Sequence, residues 1–147
     1  MPDANKKILV EKLRDRHIYV TYNRIAILEI LYSQKTAVSV ADIIHLFRGK
    51  LDRISVYRAL QLFLSKGLVC SVPTTRGDKR FIFLDERSDI IFNSHESCMY
   101  ISCLNCRKTQ LLRQPAPPLN VIADDIEISR YDIIIEGLCQ QCRASIK

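Results

Sequence analysis

No apolar run in this 147-residue chain approaches the ~20 residues that a membrane span needs. The opening stretch, MPDANKKILVEK, is polar and charged and has no apolar segment of the signal-peptide kind, so no secretory leader is expected. There is no internal repeat and no low-complexity tract. Glycine is scarce, with four residues, and none forms a phosphate-cradling loop. No catalytic base stands out either, so an enzyme ranks low. The chain is expected in the cytoplasm. Cysteines stay reduced there, and paired cysteines bind metal more often than they form disulfides.

Charge is present but uneven. Residues 1–84 carry 15 Lys/Arg against 7 Asp/Glu, a balance of +8. Residues 85–147 carry 7 against 9, a balance of −2. A basic half joined to a slightly acidic, cysteine-rich half suggests two jobs in one chain. The basic half is a candidate for a polyanion partner; a solvated charged surface is the plainer alternative. The length and the 48% hydrophobic content suffice for one ordinary domain or two small ones.

Four helical segments come first. Residues 4–17 place Leu9, Val10 and Leu13 on one face. TYNRIAILEILYS opens on Thr21 as an N-cap and continues with Ile25, Leu28 and Leu31. SVADIIHLF carries a capping box, Ser39 with Asp42, followed by Val40, Ile43, Ile44 and Phe47 as its inner stripe. ISVYRALQLFLSKG turns Val56, Leu60, Phe63 and Leu64 inward and stops at Gly67. The strand-like runs LVCSVP and KRFIFL follow, joined by the polar turn TTRGD. Helices followed by a hairpin describe a winged helix-turn-helix. After a linker at 85–97, strand signals return at CMYISC, KTQLLR and EISRYDIIIEGLC. Three prolines within residues 115–118 argue against a long helix between the last two. The expected class is α+β: a winged-helix domain at 1–84 and a small β-rich domain at 98–147.

Cys103-Leu-Asn-Cys106 and Cys139-Gln-Gln-Cys142 lie 32 residues apart. Each pair can bend two thiolates onto one ion, and together they supply the four soft ligands of a closed tetrahedral zinc site. The alternative is a thioredoxin-like redox pair, which needs a Cys-x-x-Cys that opens a helix. Neither pair is followed by a helical apolar pattern, so structural zinc, one ion per chain, is favoured.

Several motifs in order resemble the ferric uptake regulator (Fur) family: VTYNRIAILEIL, SVADIIHLF, ISVYRALQLFLSKGLV, CLNC and GLCQQC. The likeness runs from about residue 8 to 143. It implies a winged-helix DNA-binding domain, a zinc-stapled dimerisation domain and a homodimer on palindromic, A·T-rich double-stranded operators. Carried onto matching positions, Tyr57 and Arg58 would face DNA. The chemistry agrees: Tyr57, Arg58 and Gln61 fall opposite Leu60 and Phe63, and such side chains read base edges or hold phosphate. Ser55 completes that set on the helix. Arg76, Lys79 and Arg80 on the wing suit phosphate contacts.

The chain departs from the family where regulatory ligands usually stand. The matching positions hold Ala37, Cys98, Tyr100 and Tyr131, and fall near Ile82. His95 and Cys98 supply a nitrogen and a sulfur three residues apart, a candidate second metal site or the remnant of one. Tyr19 stands where many members carry a basic residue. His17 is read as ending the first helix, His45 as a partly exposed helix residue and Cys70 as a small core residue. The leading expectation is a DNA-binding regulator of repressor type with structural zinc and doubtful metal gating. The alternatives are a thiol- or peroxide-responsive regulator using Cys98 and, ranked low, a thiol oxidoreductase.

Overall fold

The computed structural model describes residues 2–74, 77–84, 98–112, 125–128 and 131–146. The chain forms two compact units, Met1–Leu84 and Asp85–Lys147. Arg76, His95, the 85–97 stretch and the proline segment lie outside the described residues.

The first unit begins with α1 (Pro2–Asp15), which buries Leu9 and Leu13. His17 ends that run with a left-handed φ of 55°, and its N–H reaches back to the Arg14 carbonyl. Thr21 caps α2 (Tyr22–Ser33) by accepting from the Arg24 N–H, as the sequence suggests. The Ser39–Asp42 capping box opens α3 (Val40–Leu46), with both reciprocal bonds present. Arg48 and Gly49 then take successive left-handed conformations, φ 52° and 72°, and turn the chain sharply. Asp52 caps α4 (Arg53–Ser65) by accepting from the Ser55 N–H at 2.9 Å.

A three-stranded sheet closes this unit, in the order β1 (Val38–Ser39), β3 (Arg80–Phe83), β2 (Val69–Val72), all antiparallel. β1 is too short to be read from periodicity; its pairing with β3 fixes it. One apolar cluster joins α1, α2, α4 and the sheet through Leu13, Leu28, Leu60, Phe63 and Phe81, all essentially inaccessible. Burying each such side chain contributes about 1.5–3 kcal/mol before entropy is counted. This core holds α4 with its opposite face outward.

The second unit is a sheet in the order β5 (Thr109–Leu111), β4 (Cys98–Cys103), β6 (Asp132–Gly137). β4 and β5 are antiparallel, whereas β4 and β6 are parallel, with Cys103 opposite Gly137. The parallel register brings the ends of β4 and β6 to the same edge, which delivers both cysteine pairs to one place. A short α5 (Gln140–Ser145) follows, capped by Cys139. The second pair therefore does open a helix, contrary to the sequence reading, which sought an apolar stripe that this six-residue, largely exposed helix lacks. Among the described residues, no helix is long and apolar enough to cross a membrane.

Candidate functional site

α4 presents one outer face. Ile54, Tyr57, Arg58 and Gln61 recur at helical spacing on the side away from buried Val56, Leu60 and Phe63. Tyr57 and Arg58 are exposed, Gln61 is half-buried, and Arg58 has no ion pair among the described residues. Ser55 is less free than the sequence suggests, because its hydroxyl donates to the Asp52 carboxylate at 2.5 Å and serves the cap. Ile54, 64% exposed, is an apolar residue of this face that the sequence reading missed. Its position one turn before Tyr57 and Arg58 was the available signal.

On the wing, Lys79 is exposed. Arg80 is engaged: its Nε donates to Asp78 Oδ2 at 3.1 Å, and its Nη1 lies 3.9 Å from Asp42 Oδ2. Tyr19 stands largely exposed beside the N-terminus of α2, and its carbonyl accepts from Arg24 Nη1 at 2.6 Å.

In the second unit the four cysteines converge. The sulfurs of Cys103, Cys106, Cys139 and Cys142 all lie within 4.8 Å of one another, with Cys106 and Cys139 at 3.8 Å. A tetrahedral zinc with Zn–S bonds of about 2.3 Å needs S···S edges of about 3.8 Å, so the donor set fits that ion. The backbone prepares the site. Cys103 ends β4, its carbonyl accepts from the Arg107 N–H at 2.9 Å, and Arg107 takes a left-handed φ of 63° to close the turn. The Cys139 N–H points at the Cys103 sulfur at 3.4 Å, and the Cys142 N–H at the Cys139 sulfur at 3.5 Å.

Electrostatics follow from this crowding. Cys103 is drawn down to about 6, first by the Cys139 N–H and then by the Cys106 N–H. At Cys142 a hydrogen bond with Asn105 pulls downward, but the neighbouring thiols and burial outweigh it and push the thiol up to about 11. The first thiolate forms easily and the last resists, because four negative charges within a few ångströms require a cation. Four converging sulfurs also leave neither pair as an isolated dithiol of the redox kind.

Among the described residues, the remaining candidates do not assemble, and His95 lies outside them. Cys98 is buried at 5% exposure, and its N–H donates to Asp132 Oδ1 at 3.2 Å. Tyr100 is fully buried, Ala37 and Ile82 are buried apolar residues, and Tyr131 is half-buried. His45 is exposed on α3, and Cys70 is half-buried in β2. Among the described residues, the four-cysteine cluster is the one group of potential metal ligands.

The peroxide operon regulator of Bacillus subtilis (strain 168) is 28% identical over 143 residues, spanning 92% of each chain. A zinc uptake regulator solved in complex with zinc and DNA superposes with a TM-score of 0.70 at 18% identity, covering 98% of this chain and 96% of that one. The Helicobacter pylori ferric uptake regulator, described as having three functional metal binding sites, gives 0.58 at 16%, covering 97% and 94%. At these identities the two structures speak for the fold. The model of the ferric uptake regulator family matches residues 15–117, more than half of the sequence, and the chain belongs to that family of transcription regulators.

Proposed function

We propose that the chain represses transcription by binding palindromic duplex operators as a homodimer, with one structural zinc per chain. In this reading residues 1–84 bind DNA, 85–97 link, and 98–147 dimerise. The observation that carries it is the outer face of α4, where Tyr57 and Arg58 stand exposed on a unit of charge +8. Arginine holds guanine edges or phosphate, and Ile54 and Tyr57 suit thymine methyl groups. Lys79 adds charge for the backbone, and Arg76 is assigned the same role. The structural neighbour bound to zinc and DNA supports the assignment. For the dimer, β6 is an edge strand among the described residues, with Ile135 exposed on it, and such an edge is a ready template for pairing with a second copy.

The four cysteines would hold the zinc, and its chemistry there is to neutralise crowded thiolates and staple β4 to β6. A regulatory metal is not part of the reading, because Tyr100 is buried and a tyrosine phenol is a poor ligand for a divalent ion.

The test uses a duplex selected from a random-sequence pool by the native protein. Arg58→Ala is expected to weaken binding by about 1–3 kcal/mol, while Lys35→Ala, in the loop after α2, changes it little. Affinity falls steeply with salt as counterions are released. Equal losses from both variants, or binding indifferent to salt, would remove α4 from the interface.

The likeness to a peroxide operon regulator favours a second reading, in which the Cys98 thiol reports peroxide. Its burial opposes this, since a reactive thiolate needs access. If peroxide releases the duplex from the native protein but not from Cys98→Ser, the second reading replaces a redox-silent Cys98.

A further inference from the structure

Arg80 bears a charge suited to a phosphate, yet its surroundings give it other work. We propose that Arg80 is a positioning residue that ties the wing hairpin to the N-terminus of α3, setting the wing for DNA without touching DNA itself. The proposal rests on the DNA-binding reading above.

The tie can be followed bond by bond. Thr74 Oγ1, on the near side of the wing turn, donates to the Asp78 carbonyl at 2.8 Å and to its carboxylate at 2.5 Å. The Asp78 carboxylate accepts from Arg80 Nε at 3.1 Å. The other end of the guanidinium lies 3.9 Å from Asp42 Oδ2, the same oxygen that accepts from the Ser39 N–H at 2.8 Å in the α3 capping box. In the sheet, Arg80 stands opposite Ser39 on β1 and opposite Val72 on β2. One side chain therefore joins the wing turn, the central strand and the start of the helix that precedes α4.

Charge accounting separates Arg80 from Arg58 and Lys79. Two carboxylates face the Arg80 guanidinium, so the three groups together carry −1 and attract no phosphate. The Asp78 carboxyl is held below the usual carboxylate range, first by the Thr74 hydroxyl and also by Arg80, so it stays ionised at neutral pH. Arg80 is also the more covered partner, with its side chain 29% exposed against 47% for Asp42. Exposed ion pairs contribute little to stability, so the network orients the wing more than it stabilises the unit.

The two roles predict opposite signs for the loss of Asp78. If Arg80 held a phosphate, Asp78 would compete with DNA for it, and Asp78→Asn would tighten binding. If Arg80 positions the wing, Asp78→Asn weakens binding, even though the substitution removes a negative charge near DNA.

The experiment measures affinity for the selected duplex across a sodium chloride series. Arg80→Gln and Asp78→Asn are each expected to weaken binding about two- to fivefold, with the slope of log affinity against log salt unchanged and the melting temperature nearly so. Asp78→Glu, which restores a carboxylate, recovers most of the affinity. A slope reduced by about one in Arg80→Gln, or tighter binding by Asp78→Asn, overturns the proposal. If the native protein binds no duplex even at low salt, the DNA-binding reading fails instead. Amide exchange then decides the tie: faster exchange at Ser39 in Arg80→Gln supports it, and unchanged exchange overturns it.

Discussion

Asp52 shows how one side chain can set a whole helix face. It caps α4, so it fixes where the helix begins and hence which residues its first turn presents. Its carboxyl is held below the ordinary value of 3.8, first by the Ser55 hydroxyl and then by the Ser55 N–H. A depressed pKa in the folded state gives stability that is complete above the unfolded value and is lost as pH falls through the folded one. Asp52→Ala should therefore lower the melting temperature at neutral pH, and the gap from the native protein should close below about pH 4. Thermal unfolding across that range checks it, and a gap that persists in acid would show that the carboxylate is not what caps the helix. The outer face of α4 was legible from spacing alone. Tyr57 and Arg58 follow from helical periodicity against Leu60 and Phe63, and so does Ile54, once exposure rather than polarity is the criterion. The proposed role of Arg80 was not legible: Asp78 stands two residues away, but Asp42 meets Arg80 only through the pairing of β1 with β3.

Among the elements, the helices of the first unit were readable because each carries its own punctuation. Thr21 and the Ser39–Asp42 box mark helix starts, and Gly67, at φ 67°, follows the end of α4. The strand β1 and the helix α5 were not readable. The first has two residues and exists through β3, and the second has six residues and exists through its Cys139 cap. The zinc pairs were legible as spacing, but their meeting depends on the parallel pairing of β4 with β6, which no local pattern encodes. That pairing makes the site a staple between strands distant in sequence. Cys106→Ser should release the metal and unfold the second unit while the first keeps its helices, because structural zinc in small domains supplies about 10–16 kcal/mol of folding free energy. Circular dichroism with metal analysis tests this. A variant that loses zinc but keeps the protected amides of β4 and β6 would show that the sheet stands without it.

At the scale of the molecule, the proposed reading gives DNA to the basic unit that presents α4 and dimerisation to the four-cysteine unit, in which β6 is an edge strand among the described residues. The boundary between the two units at residues 84 and 85 is also where the charge balance changes sign. Symmetric pairing through β6 would give two copies of α4, and two half-sites follow from two-fold symmetry. One measurement reaches the dimer, the zinc and the DNA together: native mass spectrometry of the protein mixed with the duplex it selects from a random pool. The account predicts a complex of two chains, two zinc ions and one duplex. A complex built on a single chain, or one in which the bound chains carry no zinc, would contradict it.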